Sequence, residues 1–557
     1  MTSGQTNTWP WKFKKMHLTQ SPPVTSLRQY CRRGTVETFQ PTTAFRGTYM
    51  TFSNSEYDPG HDNLQETCKL QKKKPHLPIP IILGLGLTLA LQFLLSMLRR
   101  PVISASVGNI DSPAVQVITV CQGIGCDYAD LQSAVDAASN GDMIKVAAGT
   151  YTSLHKRPRN DITSTGSVTQ VVYISKALTI RGGYTTTDWL SFNPQRNHTT
   201  LDAGGKGRAL YIAGDITCTV EGLRLTGGNA DGLGGDPWDN GGGGVYVISA
   251  SITLHDNEVF SNTAYKGGGV YLWHSNAVIY SNAFRHNSVD RAGGALWVGH
   301  SEATIDSNLV ASNTSAYVAG GLMCWGGSST IEGNTIVENS SGRGGGAALY
   351  QDSDSTLRSN TIIHNQVFAR GGGLLLDQSA DATLANNVVA DNCASIEGSG
   401  IYIVASSCHL LHNTVAHNAA GDGTGVFVRD SQFGRSAVFI TNTILVSHTV
   451  GVFVTQGNTA TIDGALWGST ESGWANEMNW SGNVIVTAAN TTTGDPAFVD
   501  PDSDDYHLSP KSAAIDNGVD TYLEVDTDGD PRLGPPDIGA DEYIRHVYLP
   551  LSIRTAP

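Results

Sequence analysis

The sequence predicts an all-β solenoid in which short strands stack coil upon coil along one axis. Three observations carry this. Glycine-rich turns lead short apolar runs at GGGGVYV (241–247), GGGVYLW (267–273), GGALWVG (293–299), GGLMCWG (320–326), GGGAALY (344–350), GGGLLLD (371–377), GSGIYIV (398–404) and GTGVFVR (423–429). Their steps are 25 to 27 residues, and a weaker VGVFVT follows from Val450. The pattern Asn-x-apolar-x-x-Asn keeps pace from Asn257/Asn262 to Asn413/Asn418, with a relic beginning at Asn442. Within each repeat the apolar residues alternate and show no helical period, the mark of half-buried strands.

Composition bounds the rest. The chain has 557 residues, 63 of them glycine, with 15% charged residues and a formal charge of −15. So low a charged fraction excludes a coiled coil or an acidic disordered chain. The glycines have no three-residue period, which excludes collagen. Eight cysteines are too few for a disulfide scaffold. Residues 1–76 carry a net +6 and Arg99 and Arg100 add two charges, so the body is acidic. Phosphate backbones require clustered Lys and Arg, and nucleic acid is excluded as a partner.

The elements follow in order. Residues 1–76 form a basic segment without period or motif. Residues 77–98 are uncharged and apolar; at ~1.5 Å per residue such a helix spans the ~30 Å hydrocarbon core. Lys69, Lys72, Lys73 and Lys74 flank it on one side and Arg99 and Arg100 on the other. Positive-inside bias places residues 101–557 outside, either behind a signal anchor or after a cleaved export signal, with Ala105 a candidate cleavage point. A linker covers 99–114. Leu131, Val135 and Ala138 share one face of a short helix suited to cap the first coil. The solenoid occupies 115–490, and an acidic tail or cap follows over 491–557.

Each coil is read as three strands stacked ~4.8 Å apart on the next coil. Aliphatics point inward at the first and third positions of the glycine-led strand, three residues before each first Asn, and two residues after it. Asn is expected at the left-handed bends and as a side-chain amide ladder. Cys324 and Cys408 fall at inward positions.

On these repeats the sequence resembles a right-handed parallel β-helix of the pectin-lyase-like class, with the repeat spacing of polymorphic outer-membrane proteins. DYADLQSAVDAASNGDMIKVAAGTY (127–151) resembles the cap region of exported β-helices. DPAFVDPDSDDYHLSP with DTDGDPR and DIGADEY resembles a tail of bacterial surface β-helix proteins. About twelve such coils are expected. The resemblance implies a fold that hosts lyases, hydrolases, adhesins and scaffolds alike.

Chemistry is sought on the glycine-led face. Its second position reads as Tyr246, Tyr271, Leu296, Met323, Ala348, Leu375, Tyr402 and Phe427. Its fourth reads as Ile248, Trp273, Val298, Trp325, Tyr350, Asp377, Val404 and Arg429. The turn feeding the strand carries Lys266, Arg291, Arg343 and Arg370, until Glu397 and Asp422 replace the cations. Flat aromatics suit sugar rings and a basic rim suits an anionic glycan. Tyr246, Lys266, Tyr271, Trp273, Arg291, Trp325 and Tyr350 are therefore the candidate substrate-binding residues for an extracellular polysaccharide or a surface partner. The equal alternative is a structural face covered by the acidic tail or another chain.

Catalysis has a weaker basis. The paired Asp and Gly-His-Gly signature of polygalacturonases is absent, as is the Asp cluster of the lyases. Asp352 and Asp377 with Arg343 and Arg370 are the nearest substitutes, for a pectate-lyase-like lyase or a glycoside hydrolase. Two further columns could tune protons or hold a metal: Asp306, Glu332 and Arg358, and the alternating Glu338, His364, Asp391 and His417. Asp526, Asp528 and Asp530 resemble the start of a Ca2+ loop, without the Glu at its twelfth position. Cys121 and Cys126 flank a short loop and are the candidate disulfide. A purely structural stalk remains the third function class.

Overall fold

A computed structural model of the chain describes residues 115–159, 166–232, 240–351, 354–379, 381–482 and 485–544. The basic segment 1–76 and the apolar run 77–98 lie outside them. Among the described residues no helix is long and apolar enough to cross a membrane. The described residues open on a strand, Val117–Val120, and a capping helix, Leu131–Ala137. Asp130 caps that helix by accepting the Ser133 amide at 2.9 Å. Leu131, Ala134 and Val135 press its apolar face onto the first coil.

From there the chain winds into a parallel β-solenoid of about 14 turns, somewhat longer than the twelve coils expected. The glycine-led strands lie in a 13-stranded sheet. Two further segments of each coil, such as Ser251–His255 and Glu258–Phe260, belong to one 24-stranded sheet folded round the first Asn corner. A fourth segment, such as Thr263–Lys266, adds a 6-stranded sheet that the alternation alone did not reveal. Val270, Leu272, Ile279 and Phe284 show how one coil fills the axis, each fully buried.

Corner chemistry holds the stack together. Asn262 Nδ2 donates to Asn287 Oδ1 on the next coil at 3.0 Å, and Asn262 N donates to the same oxygen at 3.1 Å. This repeats along both Asn columns, the second ending where Asn418 Nδ2 meets His448 Nε2 at 3.3 Å. The left-handed backbone expected of the Asn belongs instead to the residue before it, as at Asp256 (φ 55) and Ser261 (φ 53). The division has a physical reason: the Asn side chain must turn inward to feed the ladder, so its neighbour makes the bend. Asn442 accordingly takes a bend position (φ 47) and not a ladder position. A third column, of serines, runs along the corner after the glycine-led strand, as in Ser406 N donating to Ser436 Oγ at 3.1 Å.

The last strand runs Ile485–Gly494. The chain then turns back along the wall as a strap, residues 495–544. Phe498, Tyr506, Leu508, Ala514 and Ile538 bury an apolar strip of Ile363, Ala390, Ala416 and Ile444. The strap therefore covers the wall from the first Asn corner to the second and not the glycine-led face.

Candidate functional site

The glycine-led strands present two outer columns. Register sets Tyr271 against Trp297 and Leu272 against Val298. Leu296 and Val298 are thus core residues, correcting their outward assignment, and Trp297 takes the second position. The slip arises at Ala295, which occupies the place of the third glycine in this coil. Leu296 lies 26 residues from its equivalents on both sides once the register is corrected.

The second-position column is a stack of rings. Tyr173, Tyr211, Tyr246, Tyr271 and Trp297 follow one another with centroids 5.3, 4.8, 5.1 and 4.5 Å apart. All five are buried, so Tyr246 and Tyr271 contribute edges and packing here and present no open ring face. The Arg208 guanidinium lies 4.9 Å from the Tyr246 ring.

The fourth-position column is more open. Trp273 and Trp325 are half-buried and stand 6.0 Å apart, with Gly299 on the coil between them. A Cβ on Gly299 would meet Trp297 Cη2 at 2.1 Å and Trp273 Cε3 at 2.8 Å. That glycine is what lets three indoles share one patch. Lys266 Nζ lies 5.0 Å from the Trp297 ring and 5.5 Å from Trp325. His274 and His300, both exposed, occupy left-handed corners just after the strand and stack at 5.5 Å. His300 also packs against Trp273 at 4.9 Å and Trp325 at 5.0 Å. Desolvation by the indoles packed on it, and then the neighbouring His274, hold the His300 imidazole below its ordinary pKa. Trp325 Nε1 donates to Gln351 Oε1.

Two coils further on the patch becomes ionisable. Burial pushes the Asp377 carboxyl up, while a hydrogen bond with Tyr350 and the charge of Arg343 pull it back. Burial likewise raises the Tyr350 phenol, with the Asp377 charge adding to it. Arg291 and Arg343 both lie over the Tyr317 ring, at 5.1 and 5.9 Å. Arg370 turns away to Glu397, Nε to Oε2 at 2.7 Å. The candidate catalytic set therefore divides: Asp377 bonds Tyr350 and feels the charge of Arg343, Arg370 pairs elsewhere, and Asp352 lies outside the described residues. Trp297, Tyr317, His274, His300 and Gln351 were not singled out by sequence. The last three share one column, the residue directly after the fourth position.

The remaining candidates have structural partners. Glu332 accepts from Arg358 Nε at 3.1 Å, so that column is an ion pair. Cys121 and Cys126 form a disulfide, and Cys324 and Cys408 are buried free thiols. Asp526 Oδ1 accepts the amides of Asp528 and Asp530 at 2.9 and 2.8 Å, and its Oδ2 accepts the Glu542 amide at 2.9 Å. Asp528 faces His507 Nε2 at 2.8 Å. The three carboxylates do not converge on a common point, and the loop is a self-capped turn. Glu338, His364, Asp391 and His417 are left-handed corner residues, the last three beside the strap.

A family model of the right handed beta helix region matches residues 197–365 and, overlapping them, 294–466. The body of the chain is a right-handed parallel β-helix. No curated protein matches the chain at a significant level. Among solved structures, the pectate lyase Pel9A aligns over 77% of this chain and 97% of its own, with 11% identity and a TM-score of 0.37. A periplasmic alginate epimerase, AlgG, aligns over 63% of this chain and 73% of its own, with 12% identity and a TM-score of 0.33. The mannuronan C-5 epimerase AlgE4 A-module of Azotobacter vinelandii covers 67% of this chain and 97% of its own, with 11% identity and a TM-score of 0.22. Similarity this distant carries no chemistry from those proteins to this one.

Proposed function

We propose that the protein is a carbohydrate-engaging β-helix that binds an extracellular polysaccharide along its glycine-led face. The observation that carries this is the pair of half-exposed indoles, Trp273 and Trp325, on alternate coils beside exposed His274 and His300. Indole faces match the apolar faces of sugar rings, while the imidazoles and Gln351 supply hydrogen bonds to hydroxyls. Lys266 adds a cation, which favours an anionic glycan. The apolar run 77–98 supports export, with the body tethered outside the membrane or secreted. The test is a glycan array probed with the purified chain and with Trp273→Ala and Trp325→Ala. Each variant should lose at least about tenfold in affinity, the worth of ~1.4 kcal/mol; unchanged binding overturns the reading.

A second reading rests on Asp377, Tyr350 and Arg343. A carboxyl raised by burial beside a phenol and a guanidinium is a means of moving a proton from a uronate ring. It predicts unsaturated sugar ends, absorbing in the near-ultraviolet, from acidic glycans, and none from Asp377→Asn. A structural stalk predicts neither binding nor products.

A further inference from the structure

The strap meets the wall through a group of side chains that its apolar packing does not explain. His364 and Asp391 sit on consecutive coils at the same corner, both left-handed (φ 55 and 53). Each precedes a ladder residue, Asn365 and Asn392, which is fully buried and bonded to the coils on either side. The backbone that carries these two side chains is thereby fixed. Asp504 comes from the strap, where the turn Pro501–Ser503 ends and the Asp504 amide donates to Pro501 O at 3.2 Å. One ligand atom from each of the three residues lies within 4.8 Å of the other two. His364 Nε2 is 2.7 Å from Asp504 Oδ1. Tyr506 donates its hydroxyl to Asp391 Oδ2 at 2.6 Å, and His417 Nδ1 stands 3.9 Å from Asp391 Oδ1.

We propose that His364, Asp391 and Asp504 form a binding site for one divalent transition-metal ion of the Zn2+ class, which fastens the strap to the wall. One imidazole nitrogen and two carboxylate oxygens are a ligand set for Zn2+ or Mn2+, whereas Ca2+ takes six to eight oxygens. Three protein ligands leave a fourth position for water. Bond lengths of ~2.0–2.2 Å from the metal require the ligand atoms to sit a little over 3 Å apart, a small opening of the His364–Asp504 contact. The Tyr506 hydroxyl already orients a ligating carboxylate, as an outer partner does in established metal sites. Among the described residues no lysine or arginine pairs with Asp391 or Asp504, so the ion would also answer their charge. The neighbouring cluster of His507, Asp528 and Asp541 differs on this point. There Asp505 and Asp528 hold His507 at both ring nitrogens, at 2.6 and 2.8 Å, and the imidazolium itself supplies the positive charge.

The experiment titrates Co2+ alone into the chelator-stripped full chain and follows its visible absorption, then displaces it with Zn2+. One Co2+ per chain is expected, with affinity falling at least about tenfold in His364→Gln and in Asp504→Asn and unchanged in His507→Gln. No visible band, equal affinity in both site variants, or loss in His507→Gln overturns the site. Should His364→Gln fail to fold, Asp504→Asn on the strap decides alone. In the unmutated chain, Zn2+ should also slow proteolysis of residues 495–544; an unchanged rate overturns the fastening role.

Discussion

His412 on the wall accepts a hydrogen bond from Asn442 on the next coil, Nδ2 to Nε2 at 3.0 Å. The same nitrogen lies 2.8 Å from Thr521 Oγ1 on the strap. Its other nitrogen faces the Asp537 carbonyl at 3.2 Å and must therefore donate. This fixes the neutral tautomer with the proton on Nδ1. Protonating Nε2 would set it donor against donor with Asn442 Nδ2 and force the Thr521 hydroxyl to turn round and accept.

An acid-labile strap follows. Burial holds the His412 imidazole down to about 3, and the Arg532 charge adds to it. The unfolded imidazole protonates near 6.5, so this contribution to stability is full above pH 6.5 and is lost as pH falls through 3. Limited proteolysis of the strap should accelerate steadily across that window. Asn stands at the equivalent corner in Asn386 and Asn442, with φ 54 and 47. His412→Asn should accordingly fold at neutral pH with a shallower acid limb. His448, also held at about 3 by burial, keeps the limb from vanishing. An acid profile identical to the parent's would refute the assignment.

The Asn ladder should be the most sensitive feature of the solenoid. Asn365 accepts the Asn339 amide at 2.9 Å and donates to Asn392 Oδ1, Ile336 O and Ile363 O at 3.0, 2.9 and 3.0 Å. Asn365→Ala leaves several buried groups unpaired and should cost roughly 3 kcal/mol or more in denaturant unfolding. Thr361→Ala, on the half-exposed outer face of the same coil, should cost under about 1 kcal/mol. Equal costs would show that the ladder contributes no more than surface polarity does.

The repeat was legible because glycine turns and Asn corners recur under a nearly constant step, and a stacked coil permits nothing else. The inward columns followed from alternation. What escaped were local exchanges and long-range docking. Ala295 in a glycine's place hid Trp297 by one residue, and one residue in a strand reverses its face. The bend and the ladder fall on adjacent residues, so Asp256 and Asn257 had to be seen together before their roles separated. His364 stood in a column read for protons or a metal, but its strap partner and the whole role of His412 were hidden, because nothing local signals that a strap more than a hundred residues onward lies across them. Asp526 looked like a metal ligand because amide-capping turns and Ca2+ loops use the same acidic spacing.

The indole patch depends on one missing side chain. Gly299 has a Cβ position already filled by Trp297 Cη2 at 2.1 Å and Cζ3 at 2.3 Å, with Trp273 Cε3 at 2.8 Å. Gly299→Ala must displace both indoles, at a cost of about 1–3 kcal/mol. The aromatic circular dichroism should change and glycan binding should fall, while far-ultraviolet spectra stay those of the solenoid. Binding equal to the parent's, with the indoles visibly displaced, would separate the patch from function.

The strap also hangs on a buried ion pair. Arg532 Nη1 lies 3.1 Å from Glu542 Oε2, with side chains 2% and 5% exposed. Its Nη2 reaches Asn386 Oδ1 at 3.0 Å and the carbonyls of Gly539 and Ala540 at 3.0 and 3.1 Å, so one guanidinium joins the strap to itself and to the wall. Arg532→Met fills the volume but strands Glu542, whose carboxyl burial already raises. The loss should be about 3–5 kcal/mol, because the remaining charge is unpaired. Arg532→Met with Glu542→Gln removes that charge and should recover part of the loss. Thermal unfolding followed at Trp474, which stacks on His417 and meets Phe498 edge to face, should show an early strap transition in the single variant and a later one in the double. The solenoid transition should stay in place in both. A single variant that melts with the parent would mean the strap is held by its apolar strip alone.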